Sequence, residues 1–122
     1  MEEMTNSKKL ALTACKALSE KRGRDIVMLY VRERTSLCDY FVIASAGSAA
    51  QIKAMGERVE ELVEKELGIE PTRAEGVRDG RWGVIDYGDV IVHIFNDDTR
   101  LFYHLERLWS DGENMEKYVD ED

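Results

Sequence analysis

Between Gly80 and Trp109 the chain reads GRWGVIDYGDVIVHIFNDDTRLFYHLERLW, and this run restricts the fold more than any other stretch. It strings together two strands, near 81–87 and 89–95, joined tightly around Tyr87-Gly88, and then a short aromatic helix. Strand alternation puts Trp82, Val84 and Asp86 on one side and Gly83, Ile85 and Tyr87 on the other. A carboxylate sharing a sheet face with an indole is unusual if that face is core. Two readings stand side by side. Either the face is partly open and touches something, or Trp82 packs under a helix while Asp86 forms the turn at the strand end.

The rest of the chain supplies the partners for this hairpin. Residues 5–22 form an amphipathic helical pattern, with Leu10, Ala14, Ala17 and Leu18 as its stripe and Gly23 as its stop. Residues 25–32 and 39–46 read as strands, and the near-continuous apolar run DYFVIASA points to burial on both faces. A second helix opens at Ser48. Its apolar face is Ile52, Met55, Val59, Leu62, Val63 and Leu67, and Gly68 and Pro71 end it. Residues 70–75 suit a short edge strand, and 76–80 a turn-rich loop. Asp97 or Asp98 is the expected cap of the last helix, with Leu101, Phe102, Leu105, Leu108 and Trp109 as its stripe. The order α-β-β-α-β-β-β-α implies an α/β fold: one domain over 1–111, with a mixed five-stranded sheet flanked by helices. Residues 112–122 are expected to be an acidic, disordered tail.

A chain of 122 residues has material for one core. Its net charge of -8 argues against a general binder of phosphate backbones, which need Lys and Arg, and favours a basic partner. Solubility alone is the blander explanation of that charge. Cys15 and Cys38 form no CxxC and no zinc set, so they are expected to be free thiols. The N-terminus has no apolar signal core and no run approaches a bilayer span, which leads to an expectation of a cytoplasmic, non-membrane protein.

Three constellations bear on chemistry. Gly47-Ser48 follows a buried strand and opens a helix, as in an anion-binding turn. Nucleotidyltransferases follow such a turn with paired carboxylates on the next strand. Here that strand reads PTRAEG, and Glu60-Glu61 sit in the helix, about 100° apart. Capping by Ser48 is the preferred reading. His93 and His104 make no metal motif; His93 shares a face with Ile91 and Phe95 and reads as a hydrogen-bonded, partly buried side chain. Arg100, Tyr103, His104, Glu106 and Arg107 cover the last helix opposite its leucines, as a solvated face or as a contact surface, since Tyr and Arg are enriched at hot spots.

Together these pieces resemble the ribosomal silencing factor family, also called RsfS or iojap. The matching stretches are Asp25 to Val31, Asp39-Tyr40-Phe41-Val42-Ile43 with Ser45, Glu75-Gly76, and Trp82-Gly83-Val84-Ile85-Asp86-Tyr87-Gly88-Asp89. They continue through Val92-His93-Ile94-Phe95, Arg100 to Tyr103, and Leu105-Glu106 with Leu108-Trp109. Gly83 departs from the pattern, because a larger apolar residue is common there.

The resemblance implies a non-enzymatic translation factor without a cofactor, on a nucleotidyltransferase-like core lacking the catalytic carboxylates. Its partner would be the large ribosomal subunit, chiefly ribosomal protein number fourteen. Binding there would block joining of the small subunit, and organelle relatives act in large-subunit assembly. Trp82, Asp86, Tyr87, Arg100, Tyr103 and Glu106 are the expected contact residues, with Asp39 and Tyr40 at the margin. A divergent nucleotide-binding enzyme, an assembly chaperone and a homodimer of the free protein are the alternatives left open.

Overall fold

The computed structural model describes residues 5–76 and 81–119, except for the side chains of Phe102 and Tyr103. The first helix, α1 (Asn6–Glu20), starts where the Thr5 side chain accepts from the Lys8 N–H. The strands β1 (Arg24–Tyr30) and β2 (Tyr40–Ala46) follow and pair antiparallel. α2 (Ala49–Leu67) is capped by Ser48, whose Oγ accepts from the Gln51 N–H at 3.1 Å. It ends at Gly68 with φ 68°, a left-handed position that suits glycine. β3 (Arg73–Glu75), β4 (Trp82–Asp86) and β5 (Val90–Asn96) form an antiparallel ribbon. The expected loop residues 77–80 lie outside the described residues.

β5 runs parallel to β2 and joins the ribbon to the first hairpin. The resulting mixed sheet has six strands in the order β3-β4-β5-β2-β1-β6, one more than the sequence led us to expect. The extra strand, β6 (Met115–Lys117), lies in the segment expected to be a disordered tail and pairs antiparallel with β1. The tail reading weighed side chains, which are poor in core formers there. The pairing uses backbone groups, helped by Asn114, whose Nδ2 donates to the Tyr30 and Trp109 carbonyls.

Both α1 and α2 cover one face of the sheet. Leu10, Ala14 and Leu18 meet Ile52, Met55 and Val59 over Val42, Ala44, Ile85, Val92 and Ile94. Burying side chains of this size contributes roughly 1.5–3 kcal/mol each, enough to make this layer the main core. β2 is buried on both faces, as its apolar run implied.

The opposite face is built differently. It carries Val27, Leu29, Phe41, Ile43 and Phe95, and among the described residues Leu105 and Trp109 pack over them from the helical segment after β5. Those two residues belong to α4 (Leu105–Trp109), which follows α3 (Asp97–Tyr103). The expected single last helix is therefore two, broken at His104, whose φ of 46° is left-handed. Its cap is Asn96, whose Oδ1 accepts from the Thr99 N–H, rather than Asp97 or Asp98. The break turns the expected apolar stripe outward in places: Leu101 is 71% exposed and Leu108 67%.

Candidate functional site: an open aromatic face

Short helices lie on the second face of the sheet, where Leu105 and Trp109 pack beside Phe41 and Arg100 reaches Ser45 on β2. Toward β4 none of the long helices packs on this face among the described residues, and the register places Trp82 opposite Phe95, Val84 opposite His93 and Asp86 opposite Ile91. Trp82, Val84, Asp86 and Ile91 are all partly exposed, while Arg73 and Glu75 on β3 are exposed. Four strands thus present a surface that is apolar and aromatic at its centre and charged at its β3 edge.

An aromatic row runs across that surface. Trp109 meets Phe41 edge-on at 5.4 Å, and Phe41 meets His93 edge-on at 5.2 Å. Trp82 stacks on Phe95 with ring centres 5.0 Å apart. The indole Nε1–H of Trp82 donates to Nδ1 of His93 at 3.1 Å. His93 is 7% exposed, and burial pushes its imidazole down to about 4, so the ring is neutral at physiological pH. Because Nδ1 accepts, the proton sits on Nε2, and Nε2 has no hydrogen-bond partner among the described residues.

Behind Trp82 the backbone is tightly set. Gly76 has φ 74°, and a Cβ there would lie 2.1 Å from the Trp82 carbonyl oxygen. Only glycine lets β3 approach β4 so closely at this point.

Not all of the expected contact residues gather here. Trp82 and Asp86 share the open face, as alternation implied. Asp86 also forms the turn, its Oδ1 accepting from the Gly88 N–H at 2.8 Å, as the turn-forming reading of that carboxylate expected. Tyr87 does not belong to the face. It points into the core under the helices, is 8% exposed, and its hydroxyl has no partner among the described residues. Burial raises its pKa well above the ordinary phenol range. Tyr40 also lies toward the helix side, packing on Tyr30 at 5.2 Å. Asp39 precedes β2, with its backbone bonded to Asp89 and Val31 and its carboxylate 4.0 Å from Arg32 Nε.

Arg100 and Glu106 turn inward rather than outward. Arg100 Nη1 donates to Ser45 Oγ at 2.8 Å and its Nε to Glu106 Oε2 at 3.2 Å. Their side chains are only 11% and 19% exposed. This pair pins the broken helix to the end of β2 and is a brace for the face, not part of it. The side chain of Tyr103 lies outside the described residues.

His93, Trp109 and Leu105 were missed as site residues. His93 was placed on the correct face, but its bond to Trp82 depends on the diagonal register across the hairpin, which alternation alone does not give. At Gly47-Ser48, the Gly47 N–H donates to Gln51 Oε1 and the Ser48 hydroxyl caps α2, as the capping reading expected. Among the described residues no cluster of three or more His, Cys, Asp or Glu is placed to hold a metal. Cys15 and Cys38 are buried and free, and burial raises their thiols to about 12 and about 11. No described helix is long and apolar enough to cross a membrane.

The fold is a helix-backed mixed sheet with partly exposed Trp82, Val84, Asp86 and Ile91 on the face opposite the long helices. The family model described as "Ribosomal silencing factor during starvation" matches residues 4–122, so the chain belongs to the ribosomal silencing factor family. It is 37% identical to the ribosomal silencing factor RsfS of Halalkalibacterium halodurans, over 93% of this chain and 95% of that protein. It is 30% identical to a mouse protein named for mitochondrial assembly of the ribosomal large subunit, over 76% of this chain and 42% of the mouse protein. A crystal structure of a Chromobacterium violaceum protein superposes with a TM-score of 0.83 at 30% identity, covering 95% of both chains.

Proposed function

We propose that this protein is a cytoplasmic translation repressor that docks its open sheet face on the large ribosomal subunit, chiefly on ribosomal protein number fourteen. Occupying that surface of the large subunit excludes the small subunit by steric overlap. The observation that carries this reading is the partly exposed Trp82, stacked on the buried Phe95 on the side of the sheet opposite the two long helices. A face with a buried aromatic centre and a charged rim is how protein interfaces are commonly built. The net charge of -8 suits a basic partner and raises the rate of encounter.

Contact in this reading is made by Trp82, Val84, Asp86 and Ile91, with Asp39 at the margin and Arg100 and Glu106 holding the frame. Tyr87 and Tyr40 contribute from the core side only. No reaction is assigned: the nucleotidyltransferase-like reading of Gly47-Ser48 is disfavoured because the turn's hydrogen-bond groups serve the helix cap. The name of the mouse relative favours a second reading, in which the same face serves assembly of the large subunit. Sedimentation separates these readings. The protein is added to isolated large subunits, small subunits follow, and the gradient is read for bound protein and for joined particles. Co-migration with large subunits and fewer joined particles supports repression. Co-migration only with immature large subunits favours assembly, and no co-migration at all removes the ribosomal reading.

A further inference from the structure

We propose that His93 is a positioning residue for Trp82: its neutral imidazole accepts the indole N–H and selects the one ring orientation that the docking face presents. The inference deepens the proposed function and rests on Trp82 being a contact residue.

The argument begins with what His93 costs at its position. It lies between Phe41 and Phe95, almost parallel to the latter, with centroids 5.2 and 6.0 Å away. A phenylalanine would suit such a place without desolvating a polar ring. The imidazole instead buries Nε2 with no partner among the described residues. A buried polar atom left unpaired is destabilising. The bond to Trp82 at 3.1 Å is what the polar ring gains.

Stacking alone does not orient an indole. Trp82 lies on Phe95 at an interplanar angle of 28°, and the torsion that spins the ring is broad and roughly two-fold. Turning the ring over keeps the stack but sends the N–H away from His93. Among the described contacts it is the acceptor at Nδ1 that distinguishes the two states. The tautomer is dictated as well, since a proton on Nδ1 would face the indole N–H donor to donor.

A chemical consequence follows for the partner. The indole N–H is committed inside the protein, so Trp82 meets its partner through carbon and π surface. The matching group is an apolar patch or the stem and charge of a Lys or Arg, rather than a carbonyl seeking a donor.

The test uses the full chain and two substitutions. His93→Phe fills the space without an acceptor, and His93→Asn restores an acceptor oxygen near the position of Nδ1. The Trp82 indole N–H resonance, assigned with Trp82→Phe, reports the bond, and affinity for isolated large subunits reports docking. His93→Phe should shift that resonance upfield, speed its exchange with solvent and weaken affinity roughly fivefold to tenfold, the value of one lost hydrogen bond. His93→Asn should recover both. An unchanged indole signature in His93→Phe overturns the inference. So does unchanged affinity in His93→Phe when Trp82→Ala still loses it, and in that case the contact reading survives. Unchanged affinity in Trp82→Ala removes the contact reading and this inference with it. If His93→Phe does not fold, the wild-type imidazole decides: nitrogen spectra must show Nδ1 bare and Nε2 protonated, and the reverse overturns the proposal.

Discussion

Replacing Arg100 by alanine separates a brace from a contact residue. Arg100 and Glu106 are 11% and 19% exposed, so water screens the pair little. Removing the guanidinium leaves the Glu106 carboxylate with neither oxygen partnered, because Oε1 already has no partner among the described residues. The Ser45 hydroxyl, 2% exposed as a residue, loses its donor at the same time. Breaking a mostly buried ion pair in this way costs about 3–5 kcal/mol, and the lower end is expected because the pair is not fully enclosed. A loss of about 3 kcal/mol lowers the urea midpoint by roughly 2 M for a domain of this size. The control is Arg24→Ala. Arg24 binds Asp97 through both oxygens at 3.0 and 2.9 Å, yet both side chains are more than half exposed. Such surface pairs contribute little to stability despite good geometry, because water screens them. The double replacement of Arg100 by Met and Glu106 by Leu should recover at least half of the loss, since no charge is then left buried. Equilibrium urea unfolding of the variants checks the set. If Arg100→Ala costs no more than Arg24→Ala, the pair is not a brace, and Arg100 and Glu106 return to the contact surface.

Two further outcomes are expected. His93 has its imidazole lowered by burial from 6.5 to about 4, with Asp86 opposing that shift. Below 6.5 the unfolded chain takes up a proton that the folded chain refuses, so stability is full above that pH and falls as pH drops toward 4. At about 1.4 kcal/mol per pH unit the loss is about 2 kcal/mol by pH 5 and about 3 by pH 4. His93→Phe should lack this component, and unfolding free energies of both proteins over that range would show it. In addition, association with large subunits should slow steeply as salt rises past the range where charges are screened over about 8 Å. A stopped-flow association rate that is flat between low and moderate salt would contradict steering by the net charge of -8.

Local chemistry made the helices and strands legible. Ser48 and Gly68 bound α2 as their residue types require, and the alternation of Trp82 to Tyr87 assigned both faces of β4 correctly. Tyr87 was nevertheless counted as a contact residue; alternation had already sent it away from Trp82, and the structure buries it there. What the sequence hid depends on distant parts meeting. The parallel pairing of β2 with β5 joins segments far apart in the chain. β6 has one apolar side chain, Met115, and is held by backbone bonds that leave no side-chain pattern. Histidine is among the non-glycine residues enriched in the left-handed region, but most histidines are not there, so the type of His104 does not by itself announce the break between α3 and α4. Without the break Arg100 and Glu106 would not meet, because residues six apart do not face each other on a straight helix. Their inward pairing was therefore read as an outward surface.

The open face is the centre of the functional reading, and Trp82→Ala tests it most directly. Affinity for isolated large subunits should be measured beside the denaturant midpoint of the same variant. Trp82 is partly exposed and rests on Phe95, so its loss should cost less stability than the roughly 3–5 kcal/mol of a fully buried tryptophan. Binding should fall by about 2 kcal/mol or more, at least twentyfold. A well-folded Trp82→Ala protein that binds large subunits with wild-type affinity would contradict docking through this face.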